Sequence, residues 1–174
     1  DGRRVMVAWL RMPEAVKEDS ERGTWNGMMC TPRMMEVQNG HIYFRMHTEA
    51  DKYLSKEVQN RKDVDYDRPF RVQTTLKEGD VLDIGGYRIY VEEDCVKADR
   101  SRVFGNRKNY RMVSSTPQLK GSYGLDIVVD KNLIEIFVNN GEYVISNVVY
   151  NLQRELTGPI EKILAGWDDE NEKK

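Results

Sequence analysis

The sequence predicts an all-β protein, either a sandwich or a barrel, made of short strands joined by tight turns. Apolar and β-branched runs recur along the chain, turn dipeptides such as Asn39-Gly40 separate them, and helical spacing is confined to two short segments. With 174 residues, of which 39% are apolar, the chain is long enough for one compact domain that buries roughly 70% of its unfolded surface.

The first strong pattern is a β-hairpin. Residues 34–38 and 41–47 flank Asn39-Gly40, the dipeptide that best tolerates the positive φ angles of a type I′ turn. The middle of the chain continues as a meander, because its β-branched and aromatic runs suit strands and glycines separate them. The runs of this meander are residues 70–76, 81–84 and 87–91.

The clearest pattern predicts three consecutive antiparallel strands, at residues 125–129, 133–138 and 143–149. Short polar turns join them. The central strand carries large apolar groups on both faces, which favours a place inside a sandwich over a place on a solvated sheet.

Helical signals are few. Leu54 and Val58 are spaced i, i+4 within a polar segment, and Pro159 opens a stretch with apolar residues on one side, so we expect a short helix at each place. Residues 168–174 are all polar or charged, and we expect this end to be disordered.

The composition excludes some classes of binding partner. The 27 basic and 29 acidic residues are interleaved, which argues against nucleic acid. No run of about 18 apolar residues occurs, so we expect no membrane-spanning helix. The chain opens at Asp1 and enters an apolar segment almost at once, so we expect a start cut inside a larger protein.

The residues that could bind a metal are widely spaced. Cys30 and Cys95 form no CxxC pair, so buried reduced thiols are the favoured interpretation over a disulfide or a metal site. His41 and His47 share one face of a predicted strand and do not build a zinc site with those cysteines on spacing alone. We therefore expect neither a metal nor a cofactor.

Two sequence blocks carry a resemblance to a known family. Residues 125–142, LDIVVDKNLIEIFVNNGE, resemble the closing sandwich strands of the glycoside hydrolase family 32 invertases and sucrose-6-phosphate hydrolases. Residues 1–9, Trp25-Asn26-Gly27 and Thr31-Pro32-Arg33 are similar to the family's junction between the catalytic propeller and the sandwich. Residues 151–174 have no counterpart in this resemblance.

The resemblance implies a two-sheet antiparallel β-sandwich preceded by leftover strands of a five-bladed propeller. It divides the chain into residues 1–33 (the last propeller strands and linker), 34–152 (the sandwich) and 153–174 (a C-terminal extension). It implies a parent enzyme that is a retaining glycosidase and releases fructose from sucrose 6-phosphate or sucrose. The sandwich is then expected to stabilise the propeller.

Retaining glycoside hydrolysis needs two carboxylates at close range. In the family they come from Asn-Asp-Pro-like and Glu-Cys-like segments, with an Arg-Asp-Pro aspartate, and all three precede the Gly-Arg-Arg strand that begins here at Gly2. We therefore assign no catalytic residue and expect this chain alone to be inactive. Asp67-Arg68-Pro69 and Glu93-Asp94-Cys95 are near misses, interpreted as solvated turn acids.

Some residues have both a functional and a structural interpretation. Trp25 is the candidate for substrate binding; it and Trp9 can stack on a fructose ring or simply pack in the core. Glu135 suggests a catalytic acid, although an edge position or a pairing with a Lys or Arg is favoured. Arg33 can clamp a phosphate or carboxylate, or can serve packing and ion pairing.

The partners follow from the same reasoning. The expected partner is the propeller domain of the same polypeptide, with a homodimer possible and fructose-containing sugars bound only through the parent enzyme. The Met-rich opening and the lack of a cysteine framework favour a bacterial, cytoplasmic protein. Two alternatives stay open, namely a carbohydrate-binding module and an assembly domain that dimerises through the edge of the apolar strand at residues 5–10.

Overall fold

A computed structural model describes residues 2–17, 23–105, 110–121 and 123–167. The early strands are β1 (Arg4–Met6), β2 (Trp9–Lys17), β3 (Thr24–Met29), β4 (Arg33–Gln38) and β5 (His41–Met46). The later ones are β6 (Leu54–Glu57), β7 (Phe70–Leu76), β8 (Val81–Ile84), β9 (Tyr87–Glu92), β10 (Cys95–Asp99), β11 (Val113–Ser115), β12 (Tyr123–Asp130), β13 (Leu133–Val138), β14 (Tyr143–Val148), β15 (Leu156–Thr157) and β16 (Lys162–Gly166). Helical turns are α1 (Thr48–Tyr53), α2 (Ser101–Phe104) and a 3-10 turn at Arg61–Asp63.

Two antiparallel sheets pack face to face. One has six strands in the order β14-β13-β12-β7-β16-β6, and the other has five in the order β11-β10-β9-β8-β15. Their inner faces enclose one large apolar core. The prediction of an all-β sandwich is confirmed, and the sequence-level choice between sandwich and barrel is resolved in favour of two sheets.

Strand β13 is covered on both sides, as its sequence predicted. All six of its residues are buried. Because side chains alternate across a strand, Ile134, Ile136 and Val138 enter the core between the sheets. Glu135 and Phe137 face outward and are buried by other parts of the chain.

The outer face of β13 is covered by the β4–β5 hairpin. Phe137, Val128 and Leu54 form a small apolar cluster, against which Met46 at the end of β5 packs. The β4–β5 hairpin thus lies on the outer face of the six-stranded sheet. It pairs with β1 in a separate three-stranded sheet, while β2 and β3 form a two-stranded sheet.

The predicted hairpin turn is confirmed in detail. Asn39 and Gly40 have φ angles of 51° and 78°, the two positive values of a type I′ turn. The strands predicted in the meander and at residues 125–149 are also present, with ends that differ by at most a few residues.

Both predicted helices are wrong, for one shared reason. The helix near Leu54 lies upstream and ends at Tyr53, and Leu54 instead begins β6. The stretch after Pro159 forms β16, which pairs with β7 on one side and β6 on the other. In each case pairing with a distant strand overrides a helical spacing that rests on very few residues.

The end of the described chain belongs to both sheets. Strand β15 extends the five-stranded sheet beside β8, and β16 fills the six-stranded sheet between β7 and β6. Residues 168–174, predicted to be disordered, lie outside the described residues. The division of the chain at residues 33 and 152 stays a prediction, because strand pairing does not by itself mark where one domain ends. The helices of the described residues lack the length and apolar character of a transmembrane segment.

Candidate functional site at the junction of the N-terminal strands and the sandwich

A fully buried carboxylate lies where the N-terminal strands meet the sandwich. Glu135 stands on the outer face of β13, with 0% of its surface exposed. Its Oε1 accepts hydrogen bonds from Arg33 Nη2 and, at 2.7 Å, from Ser146 Oγ. Its Oε2 accepts the backbone N–H of Thr31 at 2.5 Å. The predicted pairing of Glu135 with a basic residue is confirmed, and Glu135 is not at a sheet edge.

The partner arginine is also buried. The Arg33 side chain is 9% exposed, and its Nη2 donates to Ser146 Oγ at 2.7 Å as well as to Glu135. The guanidinium carbon lies 5.6 Å from the centre of the Phe137 ring. Arg33 Nε has no acceptor among the described residues. Ion pairing and packing, the structural interpretation of Arg33, describe these contacts.

Cys30 completes this group of residues. Its thiol is free and buried, and burial raises the thiol pKa, with the charge of Glu135 raising the pKa further. Its backbone N–H donates to the carbonyl oxygen of Ala8 at 2.9 Å. We name Cys30, Thr31, Arg33, Glu135 and Ser146 the junction cluster, because they join the start of β4 to β13 and β14.

A second ion-pair group lies on the same outer face. Arg71 on β7 donates through Nε, at 2.5 Å, and Nη2 to the carboxylate of Asp126 on β12, and through Nη1 to Asp51 Oδ1 at 2.6 Å. Burial opposes the charge of Arg71, but the two carboxylates outweigh it and raise its pKa. Because Asp51 belongs to α1, this group ties α1 to the sheet.

Trp25 lies on β3 and lines a cavity of about 310 Å³. The ring is half-buried and packs beside a small apolar cluster that contains Met12 and Phe104. The polar groups around the cavity include Asp67, Asp130, Lys131 and Asn132. Trp25 therefore takes part in packing and also borders a space of the size that small-molecule sites have.

Large apolar side chains are exposed mostly on the N-terminal strands. Of ten such residues in the described part of the chain, six precede residue 47. They are Val5, Val7, Trp9, Met29, Val37 and Ile42. Trp9, which is 64% exposed, packs one ring face on the backbone of Gly27, where a Cβ atom would lie 2.1 Å from the ring. Exposed apolar side chains concentrated on one part of the chain suit a contact surface.

The two near misses occupy turns. Asp67 is exposed and pairs with Arg154 at 2.6 Å. Glu93 and Asp94 have φ angles of 54° and 58°, and Asp94 Oδ1 accepts the Tyr123 hydroxyl at 2.7 Å. Their interpretation as turn acids is confirmed.

The candidate metal ligands do not converge in the described residues. His41 Nε2 lies 2.8 Å from the carbonyl oxygen of Glu142, and His47 Nδ1 accepts the N–H of Glu49 at the start of α1. Cys30 and Cys95 are both free thiols, and Cys95 is half-buried. Across the described ranges, no group of three His, Cys, Asp or Glu side chains is placed to hold a metal ion.

Sequence reasoning missed the Arg71 group. Asp126 stands between apolar neighbours in a strand predicted to be buried on one side at least, and such a carboxylate needs a partner. That signal predicts a partner without naming it. Asp51 and Arg71 come from elements 55 and more residues away from Asp126.

Comparison with known proteins agrees with this architecture. The family model described as glycosyl hydrolases family 32 C terminal matches residues 51–159. The sucrose-6-phosphate hydrolase of Escherichia coli is 27% identical over 174 residues, covering 86% of this chain and 34% of that protein. The enzyme of the same name from Vibrio alginolyticus is 23% identical over 164 residues, with 84% and 32% covered. The chain thus spans about a third of the length of these relatives.

Solved structures show the same fold. Sucrose-6-phosphate hydrolase from Lactobacillus gasseri superposes with a TM-score of 0.71 at 14% identity, over 95% of this chain and 39% of that one. Exo-inulinase from Aspergillus awamori gives 0.62 at 14% identity, over 94% and 40%. The matched family model covers more than half of the residues, and the chain therefore belongs to glycoside hydrolase family 32, as the C-terminal sandwich of that family.

Proposed function

We propose that the chain is the C-terminal part of a longer retaining glycosidase that releases fructose from sucrose 6-phosphate or sucrose. In that enzyme it seats and stabilises the catalytic propeller of the same polypeptide and performs no chemistry itself. Support comes from relatives named sucrose-6-phosphate hydrolase, of which the chain covers only 34% and 32%.

The observation that supports the scaffold role is that the two N-terminal sheets have few strands and exposed edges. Among the described residues, strands β2 and β3 pair with no other strand, and β1 forms the edge of a three-stranded sheet. Two-stranded sheets are marginal alone, and propeller blades have four strands. Four exposed large apolar side chains, Val5, Val7, Trp9 and Met29, lie on or beside these strands. Upstream strands of the same polypeptide would complete the sheets and cover these side chains.

The proposed lack of a catalytic role is supported by the contacts of two carboxylates on the outer face of the six-stranded sheet. Retaining hydrolysis uses two carboxyl groups about 5 Å apart, one nucleophilic and one protonated. Glu135 is committed to Arg33, and Asp126 to Arg71. Each of these carboxylates already accepts hydrogen bonds from an arginine.

The first test compares this chain with the longer polypeptide that contains it. Fructose release from sucrose 6-phosphate is expected for the longer polypeptide and not for the 174-residue chain. Hydrolysis by the chain alone, at a rate above that of a denatured control, would overturn the assignment of chemistry to the upstream part.

A matched pair of variants tests the seating surface. Val7→Asp in the longer polypeptide should lower its melting temperature by several degrees, because the valine, 55% exposed in this chain, would be covered by upstream strands. Val113→Asp is the control, since Val113 is an exposed valine on β11, the edge strand of the five-stranded sheet. Equal small effects of the two variants would contradict the proposed contact.

A carbohydrate-binding role is the second candidate, favoured by the cavity beside Trp25. An aromatic ring next to carboxylate and amide groups suits a sugar, whose ring offers an apolar face and hydroxyl groups. Isothermal titration with fructans should show binding that Trp25→Ala abolishes and Trp167→Ala, at an exposed tryptophan elsewhere, leaves unchanged. A flat titration of the unmodified chain would retire this candidate.

The location and the oligomeric state belong to the same proposal. Sucrose 6-phosphate carries a charged phosphate that does not cross a bilayer unaided, which favours a cytoplasmic enzyme supplied by uptake.

A homodimer is expected to show as concentration-dependent sedimentation, because exposed strand edges offer pairing surfaces. A strict monomer across a wide concentration range would argue against it.

A further inference from the structure

We infer that Glu135 is a positioning residue: through Arg33 and Thr31 it fixes where strand β4, and with it β1, sits on the sandwich. The catalytic consequence rests on the proposed function, since β1 is then the strand nearest the upstream domain. The positioning itself concerns only residues of this chain.

The path from the sandwich to β1 is short. Glu135 belongs to β13 and contacts Ser146 of the neighbouring β14. Arg33, its ion-pair partner, is the first residue of β4 and lies opposite Met6 of β1 in the sheet. Two side chains therefore connect β13 in the six-stranded sheet to β1, an edge strand of the three-stranded sheet.

The geometry of the junction cluster fixes the position of β4 on the sandwich, and does more than hold the two parts together. Three donors, from Thr31, Arg33 and Ser146, converge on the two oxygens of one carboxylate. Hydrogen bonds are directional, whereas the apolar contacts around Met46 tolerate sliding. A buried ion pair contributes little net stability compared with apolar residues of the same volume. Its specific effect is to select one placement of β4.

The other contacts of the hairpin hold its β5 side. Phe44 N–H donates to the Gly141 carbonyl oxygen at 2.8 Å, and Arg45 Nη1 donates to the Asn140 carbonyl oxygen at 2.9 Å. Both engage the turn between β13 and β14. The first residues of β4 are held instead by the junction cluster. Loss of Glu135 should therefore loosen β4 more than β5.

The Arg71 group supplies a matched control. Asp126 is likewise a carboxylate on the outer face of the six-stranded sheet, and it is likewise paired with a buried arginine. The group reaches α1 through Asp51 and does not touch β4. Asp126→Asn therefore removes a carboxylate from an arginine pair on the same face at a different place, and Arg71 keeps Asp51 as a partner.

Hydrogen exchange on this chain tests the inference. Glu135→Gln keeps the side-chain shape and leaves the Arg33 charge unpaired, so amide protection at residues 4–6 and 33–35 should fall at least about tenfold. Protection in β9 and β10 should stay within about twofold of the parent chain, because those strands belong to the opposite sheet. Asp126→Asn should affect α1 and spare β1. An equal loss across the whole chain, or no loss at β1 and β4, would overturn the inference.

Activity of the longer polypeptide separates this inference from the proposed function. Glu135→Gln should lower kcat/KM for sucrose 6-phosphate at least about tenfold more than Asp126→Asn does, since only the first displaces β1. A longer polypeptide that is inactive even without substitution would defeat the proposed function. The exchange result would still stand or fall by itself.

Discussion

Gly141 marks the closest approach between the β13–β14 turn and strand β5. Its φ angle is +85°, and a Cβ atom added there would lie 2.3 Å from the carbonyl oxygen of Phe44 and 2.6 Å from its carbonyl carbon. Both atoms are backbone, so no side-chain rotation relieves the overlap. Gly141→Ala must therefore push β5 away from the turn.

The expected loss has two parts. Holding alanine in the left-handed region costs about 1–2 kcal/mol. Displacing β5 breaks the hydrogen bond from the Phe44 N–H to the Gly141 carbonyl oxygen, which contributes about 0.5–1.5 kcal/mol net, and loosens the apolar contact made by Met46. We expect the free energy of unfolding to fall by about 2–4 kcal/mol in total.

Gly79→Ala is the control for the first part alone. Gly79 has a φ angle of +88°, and no atom lies within 4 Å of the position of its added Cβ. This variant should lose only about 1–2 kcal/mol. In urea unfolding followed by circular dichroism, an m-value near 2 kcal/mol/M turns the difference into a midpoint gap of roughly 0.5–1 M. Equal midpoints for the two variants would refute the close-approach argument.

Three further predictions concern the packed interior. Thiol labelling at pH 8 should modify Cys95 before Cys30, because Cys30 is buried and its raised pKa, above the ordinary 9.0, keeps it protonated; rapid labelling of Cys30 in the folded chain would contradict this. Tyr87→Phe should cost about 1–2 kcal/mol in urea unfolding, since Asn147 Nδ2 loses a buried acceptor at 3.1 Å, and an unchanged midpoint would show that the bond is dispensable. Phe104→Ala should cost about 3–5 kcal/mol because the ring is fully buried, and a loss below about 1 kcal/mol would mean that the site collapses around the cavity.

Local chemistry explains why so many strands could be predicted. Alternation of apolar and polar residues, and turns such as Asn39-Gly40, act within a few residues of chain. The strand at residues 133–138 was predicted with its true bounds, and its burial on both faces followed from apolar side chains at successive positions. No knowledge of distant partners was needed for these features.

The two wrong helix predictions show that local sequence patterns do not predict pairing with distant strands. The apolar spacing of Leu54 and Val58 fits one turn of helix, yet Leu54 begins β6, which pairs with β16, and its side chain is buried against Val128 and Phe137. Strand β16 in turn lies between β7 and β6, which come from much earlier in the chain. A few residues of helical spacing cannot compete with hydrogen bonds to strands on both sides.

For the candidate site, too, the sequence indicated some features and not others. The sequence singled out Glu135, Arg33 and Trp25 and stated a partner type for the first, because a carboxylate in an apolar strand requires a compensating charge. It did not identify the partner, since Arg33 lies 102 residues away and neither residue signals the other locally. Likewise, nothing near Trp25 in the chain indicated the cavity that it shares with Asp130.

By itself, the sequence determined the all-β class, the hairpins and most strand positions, because side-chain alternation and turn geometry depend on neighbouring residues. Only the tertiary structure decided the order of strands in the two sheets, the insertion of β16, and the meeting of Glu135 with Arg33. These features depend on which distant surfaces exclude water together and which buried charges find each other, and such choices are made by the whole fold.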